Sequence, residues 1–299
     1  MAVDHVIWST ADLRVLELIR VKRSEVVYAF LSLVGEPSAI DEAMLDDEER
    51  ARSRRFVRTT DRRRFVLAHA AMRLFLAHCL GLEASSVRYE ARVNGKPRLM
   101  PDLAPLEFNL SHSRELGLIA VARDRSVGVD VEHVRNGLPA LSIADSHFSI
   151  AERQGLRSLP SSERQDAFFR CWTRKEALIK ASGEGLGRSL DSFDVDLAPG
   201  STSALKRYAG RSGEEVGWSI RNLPSPPGYA AAGALGAPAS PPVPWRELST
   251  EARGARSSDG RHVPDVPAVR ARDVPDGAST VKASFDLGTE GCAPCARES

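Results

Sequence analysis

The chain has 299 residues, 42% of them hydrophobic and 27% charged, with a formal net charge of +1. That length suits one large domain or two ordinary ones of ~100–200 residues each, and the composition is that of a soluble globular protein. The near-neutral balance excludes a globally basic nucleic-acid binder, and no apolar run approaches the ~20 residues that cross a bilayer. The opening M-A-V-D-H-V-I-W-S-T carries an acidic residue at once and has no signal-peptide layout, so a cytoplasmic protein without membrane contact is expected.

In chain order, residues 41–58 are helix-like, with Met44, Leu45, Ala51 and Phe56 among many charges. Residues 61–79 form a stronger helix, because Phe65, Ala68, Met72, Phe75, Leu76 and Cys79 share one face, and Gly81 is placed to end it. Short strands are expected over 87–91, 107–110, 116–123 and 126–131. A loop, a helix over 167–181, and strands over 192–197, 217–222 and 229–234 follow. A helix beside several short strands occurs twice, which argues for two α+β units, residues 1–123 and 124–236. From Ala237 the chain turns to A-P-A-S-P-P-V-P and then to Gly, Arg, Asp, Ser and Pro. A disordered tail over 237–299 is expected, and a chain ending near residue 242 is expected to keep its activity. Cys79 and Cys171 lie in apolar helical segments as buried thiols. Cys292 and Cys295 form a lone C-x-x-C that lacks both the partner pair of a zinc site and the context of a redox motif.

Four short stretches carry chemistry. In N-G-K-P-R-L, Pro97 stiffens the turn that follows Asn94 and Gly95, so Lys96 is either a solvated turn lysine or a point charge for a phosphate. In F-N-L-S-H-S, Phe108 and Leu110 alternate as a strand whose end gathers Ser111, His112 and Ser113. His112 suits either a phosphate contact or proton transfer. In S-V-G-V-D-V-E-H-V, Val127, Val129 and Val131 take one side while Gly128, Asp130 and Glu132 take the other, and Gly128 leaves room for something to approach. Two neighbouring carboxylates repel unless solvent or a cation sits with them. A half-exposed strand and an oxygen-only Mg²⁺ or Mn²⁺ site both answer to that pattern. In C-W-T-R-K-E-A-L-I-K, Trp172, Lys175, Glu176, Ile179 and Lys180 fall along one helical face. There Glu176 and Lys180 are spaced for an i,i+4 ion pair, Glu176 is available as a third carboxylate, and Lys175 and Lys180 to offset anionic charge. Eight arginines between Arg50 and Arg64 precede these stretches. Most suit a solvated helix face, and a subset suits one further phosphate.

Taken together, G-K-P-R-L, F-N-L-S-H-S, V-G-V-D-V-E and F-F-R-C-W-T-R-K-E-A-L-I-K-A-S-G-E-G-L resemble, in order and spacing, the Sfp-type 4'-phosphopantetheinyl transferases, over about residues 41–234. The resemblance implies a pseudo-dimer of two similar α+β subdomains with coenzyme A bound between them. It implies a holo-[acyl-carrier-protein] synthase type of reaction, in which the phosphopantetheine arm moves to a serine of an apo acyl-, aryl- or peptidyl-carrier protein and adenosine 3',5'-bisphosphate leaves. By motif match Asp130, Glu132 and Glu176 hold Mg²⁺ (or Mn²⁺). Lys180 and His112 contact phosphates, Lys96, Pro97 and Ser111 lie near the nucleotide, and Arg52 and Arg64 fall where the family places basic residues for the nucleotide end. Glu176 is the candidate base. The protein is expected to be a monomer that serves fatty-acid, polyketide or non-ribosomal peptide carriers, with the carrier surface near residues 136–163. A metal-dependent nuclease and a non-catalytic carrier- or coenzyme-A-binding protein are the competing readings. The first expects Mg²⁺-dependent cleavage of nucleic acid; the second expects decayed motif positions, whereas all stand intact.

Overall fold

The computed structural model describes residues 5–23, 25–91, 95–201, 204–208, 210–212, 217–236 and 244–249. The chain opens with β1 (Ile7–Trp8) and a single turn, α1 (Thr10–Leu13), and enters β2 (Val26–Ser32). β2 was not expected from the sequence. Its run V-V-Y-A-F-L-S is buried on both faces, so the alternation that marks a half-exposed strand is missing.

Two short helices, α2 (Ala39–Met44) and α3 (Asp47–Ser53), stand where one continuous helix over 41–58 was expected. Each begins with a capping box, Ser38 with Asp41 and Asp46 with Glu49, whose side chains satisfy each other's backbone N–H groups. The second box starts a new helix, and Leu45 is extended at ψ 142 between them. The long α4 (Thr59–Leu80) ends at Gly81 in the left-handed conformation, φ 69. A small hairpin of β3 (Tyr89–Ala91) and β4 (Pro97–Leu99) leads to β5 (Leu106–Ser113), β6 (Leu116–Arg123) and β7 (Val127–His133). Next come α5 (Ala140–His147), α6 (Ile150–Ser158) and α7 (Ser161–Ser182), filling most of what was expected to be loop. The described chain closes with β8 (Phe193–Val195), β9 (Leu205–Tyr208), β10 (Arg211–Ser212), β11 (Ser219–Leu223), β12 (Tyr229–Leu235) and β13 (Trp245–Glu247).

These elements form two α+β halves. In the first, β5, β6 and β2 pair antiparallel and α4 packs on one face through Leu67, Ala71 and Phe75 against Val27, Ala29, Leu31, Ile119 and Val121. In the second, β7, β12 and β11 pair antiparallel under α7, with Phe168, Trp172 and Ile179 in the core. α4 and α7 are each 22 residues long and each ends at a left-handed glycine. A third apolar layer joins the two sheets: Val26, Tyr28, Phe30, Leu118 and Ala120 on one side, Val127, Val129 and Val131 on the other.

Gly128 decides how near α7 comes to β7. A Cβ at that position would lie 2.2 Å from the carbonyl oxygen of Ala177 and 2.3 Å from the backbone nitrogen of Ala181. What approaches Gly128 is therefore the helix backbone itself.

In the first half, Glu49 is the hub of a buried polar cluster. It accepts from Arg73 Nε at 2.7 Å, lies 2.6 Å from His69 Nδ1, and bonds to the Tyr89 hydroxyl. Burial alone would raise the Glu49 carboxyl, but His69, Arg73 and Tyr89 outweigh it and hold it down at about 2.

The expected tail boundary at residue 237 is corrected. β13 pairs parallel with β2, Trp245 opposite Val26 and Glu247 opposite Tyr28, on the edge that β1 occupies further along. Leu248 is buried, its carbonyl accepts from Trp8 Nε1 at 3.2 Å, and Glu247 lies 3.1 Å from His5 Nδ1. The indole of Trp245 covers Gly233 of β12, where a Cβ would come within 2.3 Å of the ring. Composition hides this strand because it is a short segment in a Pro-rich surrounding. The rest of the expected tail, with Cys292 and Cys295, lies outside the described residues.

Three outcomes follow from these contacts. A chain ending at residue 242 loses β13, Trp245 and Leu248, and its unfolding free energy in urea falls by at least about 3 kcal/mol, the scale of removing a buried large side chain. Gly128→Ala forces α7 off β7, and its thermal unfolding is expected to show a loss of about 1–3 kcal/mol or failure to fold. Glu49 sits at about 2 in the fold against 4.5 for an unperturbed glutamate, so its contribution is complete above 4.5 and vanishes as pH falls through 2. Glu49→Gln is expected to cost about 3 kcal/mol at pH 7, a deficit that shrinks steadily below pH 4.5 in urea titrations.

Candidate active site

The site lies where β5, β7 and α7 meet. β7 is an edge strand of its sheet, and β5 belongs to the other sheet. Side chains of β5 satisfy β7's outward N–H groups: Asn109 Oδ1 accepts from Val129 at 2.8 Å, Ser111 Oγ from Val131 at 3.4 Å, and Ser113 Oγ from His133 at 3.1 Å. The period-2 pattern of N-L-S-H-S thus turns Asn109, Ser111 and Ser113 toward β7.

On the opposite register of β7, Asp130 and Glu132 face α7, each almost fully buried. Asp130 Oδ1 accepts from Ser111 Oγ at 2.9 Å and from Lys180 Nζ at 2.7 Å, and Lys180 also donates to Ser111 Oγ at 2.9 Å. Glu132 Oε2 accepts from Ser113 Oγ at 2.8 Å. Glu176, 8% exposed, stands one helical turn before Lys180. The expected i,i+4 pair is therefore not the ion pair formed: Lys180 bonds to Asp130 across the helix–strand interface.

Burial and the charge of Asp130 push Glu132 up to about 7, and the same two causes push Glu176 up to about 7. Burial would lower Lys180, but Asp130 and Glu176 raise it, so it stays cationic. The second oxygen of Asp130, Oδ2, is buried without a hydrogen-bond partner. An all-oxygen set, two members of which resist ionisation beside a third, suits a hard divalent cation. Among the described residues, no group of three or more His, Cys, Asp or Glu is closed up to hold an ion as it stands, and the Lys180 ammonium supplies the local positive charge.

His112 is pushed down to about 4, first by burial and then by His69, Lys180, Arg64 and Arg52. It is a neutral imidazole among cations, which an anionic ligand would make more basic. Arg52 lies over the ring of Phe65 at 5.4 Å, and Arg64 donates to Glu115 at 2.7 Å. Glu115 also takes Arg63 at 2.8 Å. Its place in the turn between β5 and β6 offered no periodic signal in the sequence.

Two lysines are placed elsewhere than expected. The Lys96 ammonium is buried, donating to the carbonyls of Val127 at 3.1 Å and Ala181 at 3.0 Å, with Glu107 at 3.5 Å. It ties the β4 turn to the start of β7 and the last turn of α7. Pro97 lies beside it, paired with Ala91 in the hairpin. Lys175 turns away from the carboxylates into the second half's core. It donates to the carbonyls of Leu190 and Phe193 at 2.7 and 2.6 Å and pairs with Glu152 at 2.8 Å. Adjacent helical residues are about 100° apart, so Lys175 and Glu176 diverge. Of the positions named from the sequence, the structure brings together Ser111, Asp130, Glu132, Glu176 and Lys180, with His112 alongside. Ser113 was missed as a site residue although it repeats Ser111 two residues on.

Known proteins resemble the chain across both halves. Residues 126–232 match the family model of the 4'-phosphopantetheinyl transferase superfamily, and residues 38–124 that of the 4'-phosphopantetheinyl transferase N-terminal region. The 4'-phosphopantetheinyl transferase HetI of a Nostoc species is 39% identical over 166 residues, covering 55% of this chain and 70% of that protein. Sfp of Bacillus subtilis is 33% identical over 155 residues, 52% of this chain and 67% of its own. The human L-aminoadipate-semialdehyde dehydrogenase-phosphopantetheinyl transferase is 29% identical over 165 residues, 52% and 53% of the two chains. The chain belongs to the 4'-phosphopantetheinyl transferases of the Sfp type.

Proposed function

We propose that this transferase takes the phosphopantetheine arm from coenzyme A and places it on a serine hydroxyl of an apo acyl-, aryl- or peptidyl-carrier protein, as a holo-[acyl-carrier-protein] synthase type of enzyme. The reading is carried by one observation: Asp130, Glu132, Glu176 and Lys180 are gathered in a buried cluster beside cations around His112. Three carboxylates suit a divalent cation, and the neighbouring cations suit an anionic ligand.

In the step proposed, the carrier serine oxygen bonds to the phosphorus bearing the pantetheine arm. The bond from that phosphorus to the bridging oxygen breaks, and adenosine 3',5'-bisphosphate leaves. Glu176, one helical turn before Lys180, is the candidate base for the serine proton, directly or through a bound water. Lys180 balances charge on the leaving bisphosphate, and His112 offers a ring nitrogen to a phosphate oxygen. Asp130, Glu132 and Glu176 would hold Mg²⁺ or Mn²⁺, which supplies Lewis-acid neutralisation of the pyrophosphate when bound. Arg52, Arg64 and Ser111 serve the nucleotide end. Lys96, its ammonium engaged with Val127 and Ala181, contributes there through its backbone and that of Pro97.

The proposal includes a division into residues 1–123 and 124–236, with residues 244–249 returning to the first half, and a monomeric, cytoplasmic enzyme. Among the described residues no helix is long and apolar enough to cross a membrane.

Incubation of the full chain with coenzyme A, Mg²⁺ and a panel of apo carriers is expected to add one phosphopantetheine to a carrier by intact mass, and chelation of the metal to stop it. No gain on any fatty-acid, polyketide or peptide carrier would sink the reading. Glu176→Gln and Asp130→Ala are each expected to lower turnover by at least about 10²-fold, the scale of losing one charge-stabilising group. Wild-type rates in either variant remove that residue from the mechanism.

A further inference from the structure

Ser113 repeats the geometry of Ser111 two residues further along β5, yet it serves a different carboxylate. Its Oγ accepts the His133 N–H at 3.1 Å and donates its own proton to Glu132 Oε2 at 2.8 Å. A hydroxyl has one proton, so with the acceptor side anchored by backbone, the donor direction is fixed on Glu132. Ser111 is already engaged by Asp130, Lys180 and the Val131 N–H. Glu132 is 6% exposed and its long side chain has several rotamers to choose among. Resting on the function proposed above, we propose that Ser113 is a positioning residue: it holds the Glu132 carboxylate beside Asp130, so that the pair is presented together to a divalent cation and the substrate's phosphates.

Asn109 provides the contrast. It bonds to β7 in the same way, through the Val129 N–H at 2.8 Å, and touches no carboxylate of the site. If Ser113 only fastened β5 to β7, the two residues would behave alike.

The test compares Ser113→Ala, Ser113→Thr and Asn109→Ala in the full chain by Mn²⁺ binding (electron paramagnetic resonance or calorimetry, no turnover required), melting temperature, and the Mg²⁺ concentration at half-maximal transfer. Ser113→Ala is expected to weaken Mn²⁺ binding and raise the Mg²⁺ requirement by about 10- to 100-fold, the range seen when a residue supporting a metal ligand is lost. KM for the carrier should be unchanged. Ser113→Thr, which keeps the hydroxyl, should restore both, and Asn109→Ala should lower the melting temperature while leaving Mn²⁺ affinity intact. Wild-type Mn²⁺ affinity in Ser113→Ala, or an equal loss in Asn109→Ala, overturns the positioning role. If the wild-type chain binds Mn²⁺ but modifies no carrier, the proposed function falls, and the affinities of the variants still decide the role of Ser113.

Discussion

The contact on which the rest of the site depends is the bare approach of α7 to β7 over Gly128. Helices normally stand off a sheet by the thickness of the side chains between them. Here the backbone of Ala177 and Ala181 fills the place a Cβ would take. That closeness brings Lys180 within 2.7 Å of Asp130 and sets Glu176 against the same carboxylate. The other side of the helix holds it down. Lys175 pairs with Glu152 and caps two carbonyls, and Arg174 donates to Asn222, Ala198 and Asp196. A buried ion pair is costly unless its remaining hydrogen-bonding capacity is filled, and at Lys175 it is filled by the Leu190 and Phe193 carbonyls.

The second constraint is how two halves from different sheets become one site. An edge strand carries a row of unpaired N–H groups. Side chains from β5 accept those N–H groups, while the Val127 carbonyl at the start of β7 accepts from the Lys96 ammonium. The joint is polar, yet it lies next to the apolar layer of Val127, Val129 and Val131. The polar groups that hold the halves together are the same ones that orient the carboxylates, so the geometry of the seam and the electrostatics of the site are not separable. Neutral His112 among cations and the raised carboxylates Glu132 and Glu176 leave the site with both proton acceptors and positive charge.

Much of this was legible because strand alternation and helical spacing assign faces locally. V-G-V-D-V-E placed the valines and the carboxylates on opposite sides, and C-W-T-R-K-E-A-L-I-K placed Glu176 and Lys180 together. The order of motifs also identified the family. What was not legible depends on partners far along the chain. The carbonyls that bury Lys96 are 31 and 85 residues away, and Lys175 is drawn inward by Glu152 rather than outward by its own helix. β2 escaped notice because a strand covered on both faces has no period. β13 escaped because its three residues gain their energy from the β2 edge and from Gly233.

The return of β13 to β2 also sets an order of events in synthesis. The edge of β2 from Val26 to Tyr28 acquires its partner only when residues 245–247 have been made, more than two hundred residues later. Until then a nascent first half presents an open, apolar strand edge, the kind of surface on which chains pair wrongly or aggregate. The sheet of the first half is thus completed by a segment that follows the second half in the chain.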